Sequence, residues 1–321
     1  MANTVRLEEW LGVLSKEYLS SFVMDGGASI KFAVASDAAR PEVIDQVEEL
    51  CRSQNYVVIK VDAARVRVHM PQDIFFDMAS QIDWPRLARA VVLDIAEECK
   101  YLVDGIDPAK VDSVFGAIAD RNGIEAQVVL QDLRPAIQDR VYRNSGMMRD
   151  FRAAMTKLCL DEGGADHPLL GWLAGARLST VRDYMIYTRI DRTTARHFIE
   201  SATTWIRLAG HSGTVVLLDN SRVTLARNPK DGLRYYTRGM AIDHFQMLRE
   251  FVDGIDRFEG TLIVVATSEA FGTVPAQPGT RSMGSYDALN HRLLEDVRDK
   301  HIANPVASLV RLDGNLQHVG E

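Results

Sequence analysis

The segment TVVLLDNSRV, residues 214–223, is an apolar run that ends in an acidic residue and an amide. In enzymes that hydrolyse ATP, an Asp at the end of such a strand holds a magnesium ion, and a neighbouring side chain orients the attacking water. Asp219 has the type and position for the metal, but Asn220 stands where a Glu is needed. An amide cannot act as a general base. The segment therefore predicts the metal-binding half of an ATPase site without the half that activates water.

An ATPase site also needs a phosphate-binding loop after the first strand of its sheet. That loop uses glycines to wrap the backbone around the phosphates, a Lys to reach the outer phosphates and a Ser or Thr to bind magnesium. Here the run SIKFAV is followed by ASDAARPEVI, which contains no Gly and no Lys, and Gly-Lys-Ser/Thr occurs nowhere in the sequence. The sequence therefore lacks the side chains that a polyphosphate requires.

The elements that would position these residues follow an α/β pattern. Short apolar runs alternate with helical patterns, and their nearly continuous hydrophobicity is typical of parallel strands covered on both faces. The predicted strands are 29–36, 56–63, 214–220, 261–268 and 307–312. Residues 64–212 show only helical periodicity. We therefore predict one domain over 1–321, with a three-layer, five-stranded parallel sheet of the P-loop NTPase-like (AAA-type) class and a helical insertion at 64–212 between the second and third strands.

Several blocks of the sequence resemble one known family. They are GGASIKFAVASDAARPEVIDQVEELCRSQNYVVIKVDA, DFRAAM, RSMGSYDALNHRL and LLGWLAGARLSTVRDYMIYTRIDRTTARHFIESATTWIRLAGHSGTVVLLDN. Together they resemble the ATP-binding proteins of BREX-type phage-defence systems, which are P-loop, AAA-like ATPases. The order and spacing of the blocks carry the resemblance over most of residues 25–312. It implies an antiphage function in a bacterial cell.

The resemblance also shows which catalytic residues are absent. It places Arg40 at the position of the P-loop lysine and Pro41 at the position of the metal-binding Ser or Thr, while Asp37 occupies a glycine position. With Asn220 in place of the Walker B glutamate, both Walker motifs are degenerate. Arg40 can still meet a phosphate, because Arg binds phosphate well. Pro41 favours the first turn of a helix, and Ser36 or Asp37 can cap its amides.

Two further residues occupy positions of the nucleotide site. Asp219 is expected to cap a turn or to pair with a basic residue, and metal binding is the alternative. Ser268 ends the fourth predicted strand, where related ATPases keep a polar sensor for the γ-phosphate, and with no γ-phosphate expected its role is to cap a loop. Arg40, Asp219 and Ser268 are therefore read as vestigial nucleotide-site positions. No metal site is expected, and neither ATP nor magnesium is expected as a cofactor.

Arg281 and Arg292 lie where related ATPases place arginines at a subunit boundary. An arginine that acts in trans needs no phosphate loop in its own chain. We therefore predict an interface with other protein subunits of a defence complex, and with an active ATPase homologue in particular, on the face that carries Arg281, Arg292 and the loop 222–238. DNA contact through the complex stays open, and the locally basic stretches 65–69 and 222–238 are either contacts to nucleic-acid phosphates or solvated loops.

Composition excludes several classes of protein. A net charge of −7 and a pI near 5.7 argue against a chain that coats nucleic acid by itself. Three widely spaced cysteines, an odd number, favour reduced thiols over a disulfide framework. No signal peptide and no membrane span is evident, so we expect a cytoplasmic protein.

The sequence leaves three functions open: a degenerate ATPase-like scaffold or regulator, an active ATPase with an atypical site at Arg40 and Asp219, and a DNA-engaging accessory factor.

Overall fold

The protein is described here by a computed structural model, which covers residues 4–161, 167–224, 232, 235–272, 286–294 and 304–313. The chain forms two compact units. The first comprises residues 1–74 and 212–321, and the second comprises residues 75–211. The prediction that 1–321 is a single domain with 64–212 inserted into it stays a prediction.

The first unit contains a sheet whose strands all run parallel. The strands are β1 (Val5–Arg6), β2 (Ala28–Val34), β3 (Tyr56–Asp62), β4 (Gly213–Asp219), β5 (Thr261–Thr267) and β6 (Leu309–Asp313). Their order is β1-β6-β2-β5-β4-β3. Each predicted strand occurs within about two residues of its expected bounds. The predicted count of five was wrong, because β1 is only two residues long and too short to leave a pattern in the sequence.

Helices account for most of the other described residues. In the chain order they are α1 (Leu7–Val13), α2 (Arg40–Ser53), α3 (Pro71–Gln81), α4 (Trp84–Glu98), α5 (Val114–Asn122), α6 (Ala126–Ile137), α7 (Arg149–Asp161), α8 (Pro168–Leu173), α9 (Ala195–Leu208), α10 (Ser221–Thr224), α11 (Arg238–Asp253) and α12 (Asp287–Leu294). Two π-helical segments, Leu14–Phe22 and Gln138–Tyr142, continue α1 and α6. Short 3-10 turns are Leu178–Tyr184, Ile255–Arg257 and Glu269–Gly272.

Side-chain alternation along the strands divides the core of the first unit into two faces. On one face, α2 buries Val43, Val47 and Cys51, spaced one helical turn apart, in a cluster that includes β2, β4 and β5. On the other face, Phe32 of β2 stacks on Phe271 at a centroid distance of 5.8 Å, as part of an aromatic row. Because both faces are covered, the strands are almost entirely apolar, and the predicted α/β class is confirmed.

The described residues of the second unit form helices and no strand. Phe198 of α9 lies at the centre of its aromatic core. It contacts the rings of Phe75, Phe151 and Trp172 at centroid distances of 5.5, 6.2 and 5.4 Å. All four side chains are buried. Burial of these large apolar side chains, which come from four helices, therefore stabilises this unit.

In the first unit, His244 of α11 is buried and has no charge partner among the described residues. Its Nδ1 lies 3.0 Å from the Val68 carbonyl, so Nδ1 carries the proton of the neutral ring. Burial lowers the pKa of His244 to about 4, and the neighbouring His69 also lowers it. An unfolded His titrates near 6.5. Between those two values the unfolded chain binds more protons, so stability falls as the pH drops through this window.

We predict that His244→Asn flattens this dependence. An Asn amide can still donate to the Val68 carbonyl, but it does not titrate. At about 1.4 kcal/mol per pKa unit, the wild-type chain should lose about 3 kcal/mol more than the variant between pH 7 and pH 4. Urea unfolding at several pH values measures the difference. Parallel curves for the two proteins would contradict a neutral, buried His244.

Candidate functional site

The candidate site lies at the carboxyl edge of the sheet. Parallel α/β sheets bind ligands outside this edge. Because β5 lies between β2 and β4, Ser268 follows the strand that separates the loop before Arg40 from Asp219. The fold therefore places the three predicted nucleotide-site residues at one edge, as their positions after separate strands require.

Arg40 begins α2 and is held by two carboxylates. Its side chain is 8% exposed, its Nη1 donates to Asp37 Oδ1 at 2.6 Å, and its Nε lies 3.3 Å from Asp219 Oδ1. The second contact is an ion pair by distance but lacks the geometry of a hydrogen bond, so Nε has no hydrogen-bond partner among the described residues. The basic residue predicted for Asp219 is thus Arg40. The three side chains together carry one positive and two negative charges.

Ser36 accepts hydrogen bonds from the backbone amides at the start of α2. The Ala39 N–H approaches the Ser36 hydroxyl and carbonyl oxygens, each at 3.2 Å, and the Arg40 N–H donates to the same carbonyl at 2.9 Å. Pro41 has no N–H, and its ring lies in the first helical turn. A helix N-terminus binds phosphate through unpaired amides. These positions therefore offer little to an anion.

Asp219 also shapes the turn that follows β4. Its Oδ1 accepts the backbone N–H of Ser221 at 3.0 Å, and its side chain is 27% exposed. On the adjacent strand, Asp62 is in register with Asp219, and its Oδ1 accepts the Ala64 N–H at 2.7 Å. No group of three or more His, Cys, Asp or Glu residues in the described part of the chain is arranged to hold a metal ion. The geometry of Asp219 is that of a turn cap and ion-pair partner.

Ser268 is buried, and its hydroxyl lies 3.0 Å from that of Thr224 in α10. The Thr224 hydroxyl donates in turn to the Ser221 carbonyl at 2.7 Å. The Ser268 carbonyl accepts the Phe271 N–H at 3.0 Å, which closes the turn after β5. Ser268 therefore links two turns at the carboxyl edge, which is the loop-capping arrangement.

Asn220 is completely buried, which the sequence did not reveal. Its backbone N–H donates to the Ala266 carbonyl at 2.8 Å, but neither side-chain polar atom has a hydrogen-bond partner among the described residues. The buried hydroxyls of Ser221 and Thr267 are also unpaired there. Buried polar groups in proteins are usually satisfied, so this cluster is atypical. The only sequence signal for the burial of Asn220 was its position directly after an apolar strand.

Arg292 and Arg238, which the sequence grouped on one interface, lie at opposite ends of α11. Arg292 of α12 pairs with Asp253 at the end of α11, with Nε and Oδ1 2.9 Å apart. Arg238, the last residue of the basic stretch 222–238, instead begins α11. At 1.5 Å per residue, the helix separates these ends by about 22 Å. Arg281 lies outside the described residues.

The parallel sheet and its carboxyl-edge site define an α/β protein consistent with a P-loop NTPase-like fold. Residues 121–318 match the family described as BREX system ATP-binding protein BrxC/D. The match covers more than half of the chain, so the protein belongs to this family, and the predicted resemblance is confirmed. The matched region includes Asp219 and Ser268 but not the loop before Arg40.

No curated protein and no solved structure matches the chain. None of the helices in the described residues is both long and apolar enough to cross a membrane.

We predict that Asp219→Asn destabilises the fold by about 1–3 kcal/mol. The Asn oxygen can still accept from Ser221, but the buried Arg40 loses one of its two counter-charges, and an uncompensated buried charge is costly. Asp37→Asn is the matched control. Asp37 is 74% exposed, so its loss should cost about 1 kcal/mol or less. Urea denaturation measures both variants. A smaller loss for Asp219→Asn than for Asp37→Asn would show that Asp219 does not stabilise Arg40.

Proposed function

We propose that the protein is a catalytically degenerate, ATPase-like subunit of a BREX antiphage defence system, where it acts as a scaffold or regulator in a protein complex. The family assignment supports the system, and the Arg40 ion pairs support the degeneracy. The side chain that stands for the P-loop lysine is engaged with carboxylates of its own chain.

Electrostatics oppose polyphosphate binding at this edge. To bind a phosphate, Arg40 must give up contacts with Asp37 and Asp219 and leave two carboxylates beside the anion. A pair of like charges 4 Å apart near a protein surface repels by about 4 kcal/mol at an effective dielectric constant of 20. The Ser36 contacts also occupy the Ala39 and Arg40 amides, which cannot offset this cost.

Hydrolysis faces a second obstacle at Asn220. Its side chain is completely buried, and an amide does not accept the proton of an attacking water at neutral pH. Even a nucleotide that reached the carboxyl edge would lack the group that activates water. Binding and catalysis are therefore opposed by different residues, Arg40 with its carboxylates and Asn220.

One observation favours an active ATPase with an atypical site as the second candidate. Asp219 is partly exposed, and only its Oδ1 contacts other groups among the described residues. Its Oδ2 therefore remains available for a metal ion, and Arg40 is a residue type that binds phosphate. This candidate requires Asp37 and Asp219 to release Arg40.

We predict no saturable heat of Mg-ATP binding and no hydrolysis by the purified chain. Isothermal titration calorimetry and a phosphate-release assay measure the two properties. Asp219→Ala is the control, because a contaminating ATPase is insensitive to it. Turnover that persists in pure preparations and disappears in Asp219→Ala would establish the second candidate instead.

The scaffold role requires a partner. A BREX system contains several proteins, and an inactive ATPase-like chain can still contribute a surface or an arginine to a neighbour. Arg292 is exposed and lies at the end of α11 beside Asp253. Charged residues at an interface rim affect partner choice and association rate more than affinity. We therefore place the partner contact at this end of α11.

We predict that Arg292→Glu lowers co-purification with an ATPase partner from the native host, or lowers that partner's ATPase rate. Asp253→Asn is the matched control, since it breaks the same intramolecular ion pair without reversing the charge of Arg292. Arg281→Glu is expected to act as Arg292→Glu does. Equal effects of Arg292→Glu and Asp253→Asn would assign the loss to the ion pair and contradict the interface.

A further inference from the structure

The second unit contains a cleft that the proposed function does not use. Its volume is about 880 Å³, and its walls are the end of α6, the π-helical segment Gln138–Tyr142, α7 and the turn at Tyr184 and Met185. Pro135 lies inside α6, three residues before the start of the π-helical segment. Proline removes a helical hydrogen bond, and π-helical turns are frequent at functional sites.

One face of α7 forms a long wall of the cleft. Arg149, Ala153, Thr156, Lys157 and Leu160 line it, at the spacing of successive helical turns. The small side chains of Ala153 and Thr156 lie between the two basic residues. At 1.5 Å per residue, Arg149 and Lys157 are about 12 Å apart along the helix axis. The wall therefore presents a narrow strip with a positive charge near each end.

The cleft is strongly basic in an acidic chain. Four basic side chains line it, from Arg134, Arg143, Arg149 and Lys157, against one acidic side chain, Asp139. Asp139 is paired with Arg143 at 2.7 Å. Arg134, Arg149 and Lys157 are exposed and have no ion pair with any described residue. Uncompensated basic side chains in a concave surface attract anions.

Aromatic side chains supply a second kind of contact. Tyr142 and Tyr184 line the cleft, and Tyr142 is exposed and lies 5.7 Å from the Arg152 guanidinium. Met185 next to Tyr184 has a φ of 60°, a left-handed conformation that non-glycine residues seldom adopt. The buried Asp150 carboxylate fixes this turn by accepting the N–H groups of Tyr187 and Thr188 at 2.8 and 2.6 Å.

From the cationic strip and the two tyrosines we infer that this cleft binds single-stranded nucleic acid. Proteins that bind single strands combine a positive groove for the backbone with aromatic side chains on which bases stack. The separation of Arg149 from Lys157 suits a ligand with repeated phosphates better than a mononucleotide. The tyrosines favour unstacked bases over an acidic peptide or a duplex, whose bases are already stacked. This inference is independent of the ATP site and goes beyond the proposed function.

The test is fluorescence anisotropy of the full chain with a labelled pyrimidine single strand of about twelve nucleotides. We expect saturable binding that weakens with salt. Arg149→Glu and Lys157→Glu should each weaken binding by about tenfold and lower the salt slope by about one. Tyr142→Leu should weaken binding by a similar factor with little change in the slope, because it removes stacking and no charge.

Arg86→Glu is the matched control. Arg86 is exposed in the first turn of α4 and does not line the cleft. The same charge reversal there should leave binding unchanged. Circular dichroism and urea unfolding of each variant verify that it is folded. The inference is overturned if the single strand does not bind, if Arg86→Glu weakens binding as much as Lys157→Glu, or if an unlabelled duplex or a polyglutamate peptide competes better than an unlabelled single strand.

Discussion

The buried guanidinium of Arg40 is the constraint on which the carboxyl edge of the sheet depends. A charge removed from water must be neutralised, and here Asp37 from the preceding loop and Asp219 from the end of β4 supply the counter-charges. The same contacts bring the start of α2 to the end of β4. In the function that we propose, the groups that fold this edge are therefore also the groups that oppose polyphosphate binding there.

This arrangement gives a physical meaning to membership in a family of ATP-binding proteins. The sheet order keeps the positions of a nucleotide site adjacent, but its polar groups are satisfied internally. Ser36 occupies amides of α2, and Ser268 joins Thr224. The exceptions are the buried amide of Asn220, the Nε of Arg40 and the hydroxyls of Ser221 and Thr267, which have no hydrogen-bond partner among the described residues. The internal pairing supports a role through surfaces rather than through hydrolysis.

Charge is distributed unevenly along the sequence. The chain carries a net charge of −7, yet the cleft beside α7 holds four basic side chains and one acidic side chain. An acidic total excludes a protein that coats nucleic acid by electrostatics alone, but it does not exclude a local groove. The basic residues belong to α6, to α7 and to the position directly after the π-helical segment, and helical packing brings them together.

The sequence by itself determined the α/β class, five of the six strands and the family, because buried parallel strands are long apolar runs and the family blocks keep their order. It also identified the missing Lys, Ser/Thr and Glu, since absent residue types are visible without coordinates.

Tertiary structure decided the rest. It assigned Arg40 as the partner of Asp219, buried Asn220, and placed Arg292 and Arg238 at opposite ends of α11. Those facts depend on contacts between residues distant in sequence, and so does the cleft, whose walls come from separate helices. Periodicity along one element carries no information about its neighbours.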